Sequence, residues 1–403
     1  MNSQLLFAKP FRLLVTHKTF AVLLATIVLM EIAHGVELIA LFPLYLKDVM
    51  REGVDTIGIT LSTYLVADIL IRTPAGWFAD RWARKPLLVI GILLSAFPLV
   101  LMPRVQSAQF FLALNAINGI GAGCIWPALY AAVADLYGKT RYGLVLGIIN
   151  MVMLGGIALG PIAGGFLLSR VNYANAFYFC FAIALLAGTL VVFFIREARP
   201  IRAENANDAR LSVHAFARFM NPTLARLLFI GLLLTLAIGM MLPLVALFGR
   251  EVLRVPPDIF ALILIPPGIL TLALIIPAGH WADRRGRHAP LIAGLFLIAL
   301  PFAGAPLSTN LFIVSAGAML AGLGYALLVP AWNALVMDYV PENARGLFLG
   351  AVATAQGVGL AIGPVIGGEL WERVWVYAPF EVAAFFFLIA AGLAIIEMRA
   401  ARK

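Results

Sequence analysis

Twelve apolar runs, each 18 residues or longer, divide this chain, and they constrain its fold more than any other feature. They lie near 19–46, 57–79, 86–103, 108–134, 143–168, 173–195, 223–249, 258–280, 289–307, 311–337, 347–370 and 377–397. A run of about 18–20 apolar residues is long enough to cross the hydrocarbon core of a bilayer as a helix. A soluble domain shows short apolar stripes instead, and about twice the 12% of charged residues found here. The reading is an all-α polytopic membrane protein with twelve transmembrane helices in two pseudo-symmetric six-helix bundles. The first run is too long for a cleavable leader and carries charge, so it reads as a retained helix.

The Lys and Arg residues set an orientation. With a cytoplasmic N-terminus, 21 of the 29 fall in inside segments and 7 in outside segments, while Arg72 lies within a span. That bias places both termini inside and fixes an even number of spans. It also explains the net charge of +9 as topology signals facing anionic lipid. No basic patch interleaved with aromatics points to nucleic acid. Cys124 and Cys180 lie inside apolar runs with no CxxC pair, which suits buried structural thiols.

The chain repeats itself at an offset of 203 residues. Pro74-Ala-Gly76-Trp-Phe-Ala-Asp80-Arg81 returns as Pro277-Ala-Gly-His-Trp-Ala-Asp283-Arg284. Arg84 returns as Arg287, Pro127 as Pro330 and Asp135 as Asp338. Gly160-Pro161 with Gly164-Gly165 returns as Gly363-Pro364 with Gly367-Gly368. The expected division is therefore an N-terminal six-helix bundle over 1–198, a cytoplasmic linker over 199–222 and a C-terminal bundle over 223–403. Parallel repeats of this kind imply a site at the membrane midplane between the halves. The linker reads either as a short amphipathic helix on the membrane surface or as a tether.

These motifs resemble the major facilitator superfamily, and the drug/proton antiporter-like exporters within it most of all. The resemblance covers essentially the whole chain. Gly76 to Lys85 is similar to the superfamily's signature loop between its second and third helices, with Ala83 where a glycine is usual. The copy from Gly279 to His288 keeps that glycine as Gly286. The resemblance implies a latch for the inner gate, formed by Gly76, Asp80, Arg81, Arg84 and Lys85, and by Asp283, Arg284 and Arg287. Asp135 with Arg141, and Asp338 with Arg345, are its candidate partners. Gly156-x-x-x-Gly160-Pro161-x-x-Gly164-Gly165 resembles the fifth-helix motif of antiporters, where small residues permit close helix approach. Generic tight packing reads equally from it. Proton antiporters often carry an arginine four residues before a glycine in the fourth helix. Before Gly119 that position is Asn115, so proton coupling must use other groups.

The first two spans supply them. Glu31, His34 and Glu37 lie within an arc of ~120° and a rise of ~9 Å on one helix. Asp68 and Arg72 stand at i and i+4 on the next. A charge at membrane depth costs about 2.5–3.5 kcal/mol, so such residues usually serve a cavity. At the 203 offset the same places hold Leu234, Ala237, Met240, Thr271 and Ile275, so the scaffold does not require charge there. The expectation is that Glu31 or Glu37 is a proton switch tuned by His34 and Asp68. Arg72 would hold Asp68 ionised or bind an anionic head group. Alternatives are a solvated Glu37 at the outer mouth, a structural Asp68–Arg72 pair, and a divalent cation held by Glu31, His34 and Glu37. Asn115, Asn118, Met240, Tyr325, Trp332 and Gln356 complete the expected substrate wall, charged on one side and apolar on the other.

The function expected is a proton-coupled secondary exporter of lipophilic or amphipathic small molecules, acting as a monomer in a bacterial inner membrane. It needs protons, a small amphipathic substrate and the bilayer as partners, and no cofactor, metal or nucleic acid. A lipid or lysolipid flippase, an organic-anion or sugar symporter, and a non-transporting membrane enzyme or receptor are the competing readings. The absence of a nucleotide-binding P-loop argues against ATP drive.

Overall fold

The computed structural model describes residues 18–81, 83–195, 222–339 and 345–400. The linker expected at 199–222 falls almost wholly outside the described residues. The described chain is helical throughout its length, apart from short connections. The long helices are α1 (Lys18–Asp48), α2 (Val54–Arg81), α3 (Arg84–Leu101), α4 (Ala108–Leu168), α5 (Tyr173–Phe194), α6 (Pro222–Met241), α7 (Pro257–Arg285), α8 (His288–Ala303), α9 (Leu311–Tyr339), α10 (Arg345–Arg373) and α11 (Ala378–Ala400), with a short helical stretch, Leu244–Leu247 and Phe248–Val252, between α6 and α7. Eleven segments among the described residues are long and apolar enough to cross a membrane.

Helix α4 departs from the sequence reading. It runs for 61 residues where two helices, 108–134 and 143–168, were expected. At 1.5 Å per residue a straight helix of that length would reach ~90 Å, about three times the hydrocarbon thickness. It doubles back instead. Val133 and Tyr137 near its middle, and Val145 and Ile149 just beyond, join the same buried cluster as Phe20, Leu23 and Ile27 of α1. Asn118 reaches Glu37 and Gly160, 42 residues later, lies against Gly35, so both halves of α4 pass the same stretch of α1; α4 supplies two crossings and the twelve-span count holds.

The chain forms two compact units, one of residues 1–50 with 63–204 and one of 51–62 with 205–403. The first turns of α2 thus pack with the second unit. There the Glu372 carboxylate accepts the Val54 N–H at 3.0 Å and so satisfies one open donor at the start of α2. A Cβ added at Gly58 would stand 2.2 Å from the Pro364 carbonyl oxygen, so backbone meets backbone at this crossing.

Glycine contacts hold each unit together, because lipid offers no hydrophobic drive between helices and close packing must supply the attraction. In the first unit, a Cβ at Gly160 would lie 2.3 Å from the Gly35 Cα, and one at Gly156 would lie 2.5 Å from the Glu31 Cβ. The second half of α4 therefore lies directly against the charged stretch of α1. In the second unit Gly359, Gly363 and Gly367 of α10 press on α6 in the same manner. Cys124 and Cys180 are buried free thiols.

The two signature turns differ for a visible reason. Gly286 has φ +89° and ψ 152°, a conformation essentially confined to glycine. Ala83 sits at φ −164° and ψ 140°, ordinary extended backbone that alanine adopts freely. The second copy needs its glycine and the first does not.

Candidate functional site

The polar interior of the first unit is assembled by α1 to α4. Helix α1 changes to a wider π turn over Val36–Leu41, with Glu37 in it. Such insertions often mark functional sites because they re-aim side chains without ending the helix. Three glycines of α4 bring its backbone against its neighbours. A Cβ at Gly119 would lie 2.3 Å from the Tyr64 carbonyl oxygen, one at Gly121 2.3 Å from the Ser95 nitrogen, and one at Gly123 2.4 Å from the Asp68 carbonyl oxygen. Helices α2, α3 and α4 thereby converge on the charged face of α1.

Within this convergence a chain of hydrogen bonds crosses three helices. Asn118 Nδ2 donates to Glu37 Oε2 at 3.2 Å, and Ser95 Oγ donates to Asn118 Oδ1 at 2.6 Å. His34 Nε2 lies 3.2 Å from the same Ser95 hydroxyl. The link thus runs from Glu37 to His34 through two neutral side chains. Glu31, His34, Glu37, Asp68, Ser95, Asn115 and Asn118 are all buried. Glu37, at 1% exposed, is not a solvated group at a mouth. The His34 ring meets Tyr64 edge to face, with centroids 6.1 Å apart.

Asp68 and Arg72 form the expected pair. Arg72 Nε donates to Asp68 Oδ1 at 3.0 Å and Nη2 to Oδ2 at 2.6 Å, a two-pronged contact that fixes both planes. The pair is lopsided: the Asp68 side chain is 8% exposed and that of Arg72 49%. The guanidinium therefore anchors a buried carboxylate and keeps donors turned toward open space.

The other predicted residues fall into three groups. In the gate set, Arg84 is buried and pairs with Asp135 at 2.7 Å, and its Nη1 donates to the Ala79 carbonyl at 3.0 Å. Arg81 stacks on Trp77 at 4.4 Å, and Lys85 donates to the Val192 carbonyl at 2.7 Å. Arg287 pairs with Asp338 and donates to the Ala334 carbonyl at 2.8 Å, while Asp283 and Arg284 are exposed. Gly76 of α2 faces Pro127 of α4, and Pro161 and Gly165 lie inside α4. The side chains of Asp80, Arg141 and Arg345 lie outside the described residues, so their predicted latch roles find no placement here.

In the second unit, Trp332 and Gln356 meet at Gly231, where an added Cβ would lie 3.1 Å and 3.3 Å from them. Tyr325 is partly buried on α9. Met240 is fully buried, its backbone against Gly367. It packs the unit rather than lining an accessible wall.

Sequence reasoning missed Ser95 and Tyr64. Ser95 had a signal, since Gly91-x-x-x-Ser95 is a pair of small residues on one helix face. It also missed the buried Glu397, which pairs with Arg226 at 2.6 Å and ties α11 to α6.

The sequence profile described as "Major Facilitator Superfamily" matches residues 19–271 and 227–402. The chain belongs to the major facilitator superfamily. It is similar to "Multidrug resistance protein 2" of Bacillus subtilis (strain 168), 24% identical over 383 residues and covering 94% of each chain. It is also similar to "Proton-coupled antiporter flippase LtaA" of Staphylococcus epidermidis (strain ATCC 35984), 23% identical over 363 residues, covering 89% of this chain and 88% of that one. Among solved structures, the nucleoside transporter NupG superposes with a TM-score of 0.76 at 16% identity, over 94% of this chain and 99% of that one. The last likeness carries the fold alone. Superfamily membership makes this chain a multi-pass membrane transporter and not an enzyme.

Proposed function

We propose that the protein is a proton-coupled exporter of lipophilic or amphipathic compounds, working by alternating access in a bacterial inner membrane with both termini cytoplasmic. One observation carries this reading. Glu31, Glu37 and Asp68 are buried with His34 in the first unit, while the repeat-related positions are Leu234, Met240, Thr271 and Ala237. Burying three carboxylates is expensive and the scaffold does without them 203 residues later, so their retention points to use. Proton antiport is such a use, because a carboxylate that binds and releases a proton changes the charge its surroundings must accommodate. In this reading Glu31 and Glu37 carry the proton. Ser95 and Asn118 hold Glu37 in place, and Arg72 keeps Asp68 oriented. The printed names of the relatives, a multidrug resistance protein and a proton-coupled antiporter flippase, agree with it.

A second reading, lipid or lysolipid flipping, is favoured by the half-exposed Arg72, whose free donors suit a phosphate or other anionic head group. The two are separated in proteoliposomes carrying an imposed pH gradient. Gradient-dependent movement of a lipophilic cationic dye, with none of a fluorescent lysolipid, supports export of drugs. The reverse result assigns flipping, and movement of neither removes both.

A further inference from the structure

The second unit contains a cavity that the transport reading does not use. It lies at the end where α8 joins α9, within one unit, and has a volume of about 430 Å³, within the ~300–1,000 Å³ typical of ligand pockets. Its walls come from the end of α6 (Met241), the first turns of α7 (Phe260), the end of α8 (Leu300), α9 (Val314, Ala318) and the start of α11 (Phe380). Every lining side chain is apolar except Ser308.

Three properties bear on what it can hold. An apolar recess of this size leaves its lining short of dispersion contacts until something apolar fills it. Water does not offset that loss, because ordered water needs two to four polar partners and apolar cavities stay dry or take apolar ligands. The rim continues the apolar outer surface: Leu300, Leu307 and Ile313 line the cavity and are 64%, 85% and 55% exposed. Leu300 and Leu307 end one apolar membrane-length helix segment and Ile313 begins the next, so an opening between them would admit an apolar chain from the bilayer.

We propose that this cavity binds one acyl chain of a bilayer lipid, inserted past Leu307 and Ile313 to rest against Phe260 and Phe380. The tail would brace α8 and α9 where their packing is incomplete. This site is independent of Glu31, Glu37 and any proton step, so it stands or falls separately from the transport reading.

The test uses the full chain in nanodiscs containing phosphatidylglycerol with a photoactivatable diazirine near the end of one acyl chain. After irradiation and digestion, label should concentrate on the peptides holding Phe260–Leu264 and Val314–Ala321. It should exceed, by several-fold, the label on exposed control positions such as Phe193 and Phe385. Ala318→Trp, which fills the cavity, should cut the cavity label several-fold and leave the control label unchanged. Ala321→Phe serves as a second filling variant if the first fails to fold. Cavity label no greater than control label, or unaffected by both fillings, would overturn the proposal. Displacement of the label by a lipophilic cationic dye at transport concentrations would overturn it too, by assigning the cavity to cargo.

Discussion

Arg84 Nε stands 2.7 Å from the Asp135 carboxylate, and 203 residues further on Arg287 pairs with Asp338 in the same relation. Each pair ties the turn after one helix to a later crossing, at Asp135 midway along α4 and at Asp338 near the end of α9, so the duplicated scaffold keeps a duplicated clamp. The copies differ in burial. Side-chain exposures are 9% and 11% for the first pair, against 28% and 48% for the second. Removing one partner of a buried pair leaves an uncompensated charge and costs about 3–5 kcal/mol, whereas an exposed pair is worth about 0–1 kcal/mol. Asp135→Asn should therefore lower the thermal unfolding midpoint strongly and Asp338→Asn only slightly. Equal shifts would show that burial does not govern the clamp.

The turn that leads to each clamp gives a sharper contrast. Gly286→Ala forces a Cβ into a positive-φ conformation and should cost about 1–3 kcal/mol. Ala83→Gly changes a residue in extended backbone and should stay within about 1 kcal/mol of the parent, reflecting only added freedom of the unfolded chain. Thermal melts of the two variants in one detergent check the pair.

The glycine contacts predict position-dependent tolerance along one helix. Gly160→Leu should disrupt the first unit, since even its Cβ would overlap the Gly35 backbone. The loss of properly folded protein should be visible by size-exclusion chromatography, at a cost of at least ~1–3 kcal/mol. Gly155→Ala meets nothing within 4 Å and should be neutral or stabilising by ~0.5–1 kcal/mol through helix propensity.

Asn118 joins Glu37 to Ser95. Asn118→Ala leaves both with a lost partner in a buried site, for about 1–3 kcal/mol of destabilisation. Asn118→Asp places a second carboxylate beside Glu37. Two ionised groups there repel, and protonation relieves the repulsion, so this variant should melt higher at pH 5 than at pH 8. The parent should show a smaller change over the same interval, and an equal change would remove Asn118 from the network.

Much of this was legible in the sequence because its signals are periodic or repeated. Span lengths, the 203-residue offset and the i, i+4 spacing of Asp68 and Arg72 depend on local geometry, and the helices follow them closely. The single long helix was hidden because Gly138 to Gly143 reads as a polar break, while helical backbone passes through it. The network was hidden for a different reason. Ser95, Tyr64 and Asn118 are ordinary residues in ordinary helices. Their meaning arises from three backbone-to-backbone glycine approaches, which set side chains from α1, α3 and α4 within hydrogen-bonding reach. No one-dimensional spacing encodes that meeting. The need for Gly286 but not for Ala83 likewise depends on backbone angles that the motif does not reveal.

The central claim is that Glu31 and Glu37 couple transport to protons, and a pair of isosteric substitutions tests it most directly. Glutamine keeps the shape and hydrogen-bonding reach of each side chain but cannot take up or release the proton. Proteoliposomes holding the parent, Glu31→Gln and Glu37→Gln should be compared for movement of a lipophilic cationic dye, with and without an imposed pH gradient. The account predicts that at least one variant remains folded and loses the gradient-driven component at least ~10-fold, about 1.4 kcal/mol in driving-step terms. Unchanged gradient-driven transport in both variants would contradict it.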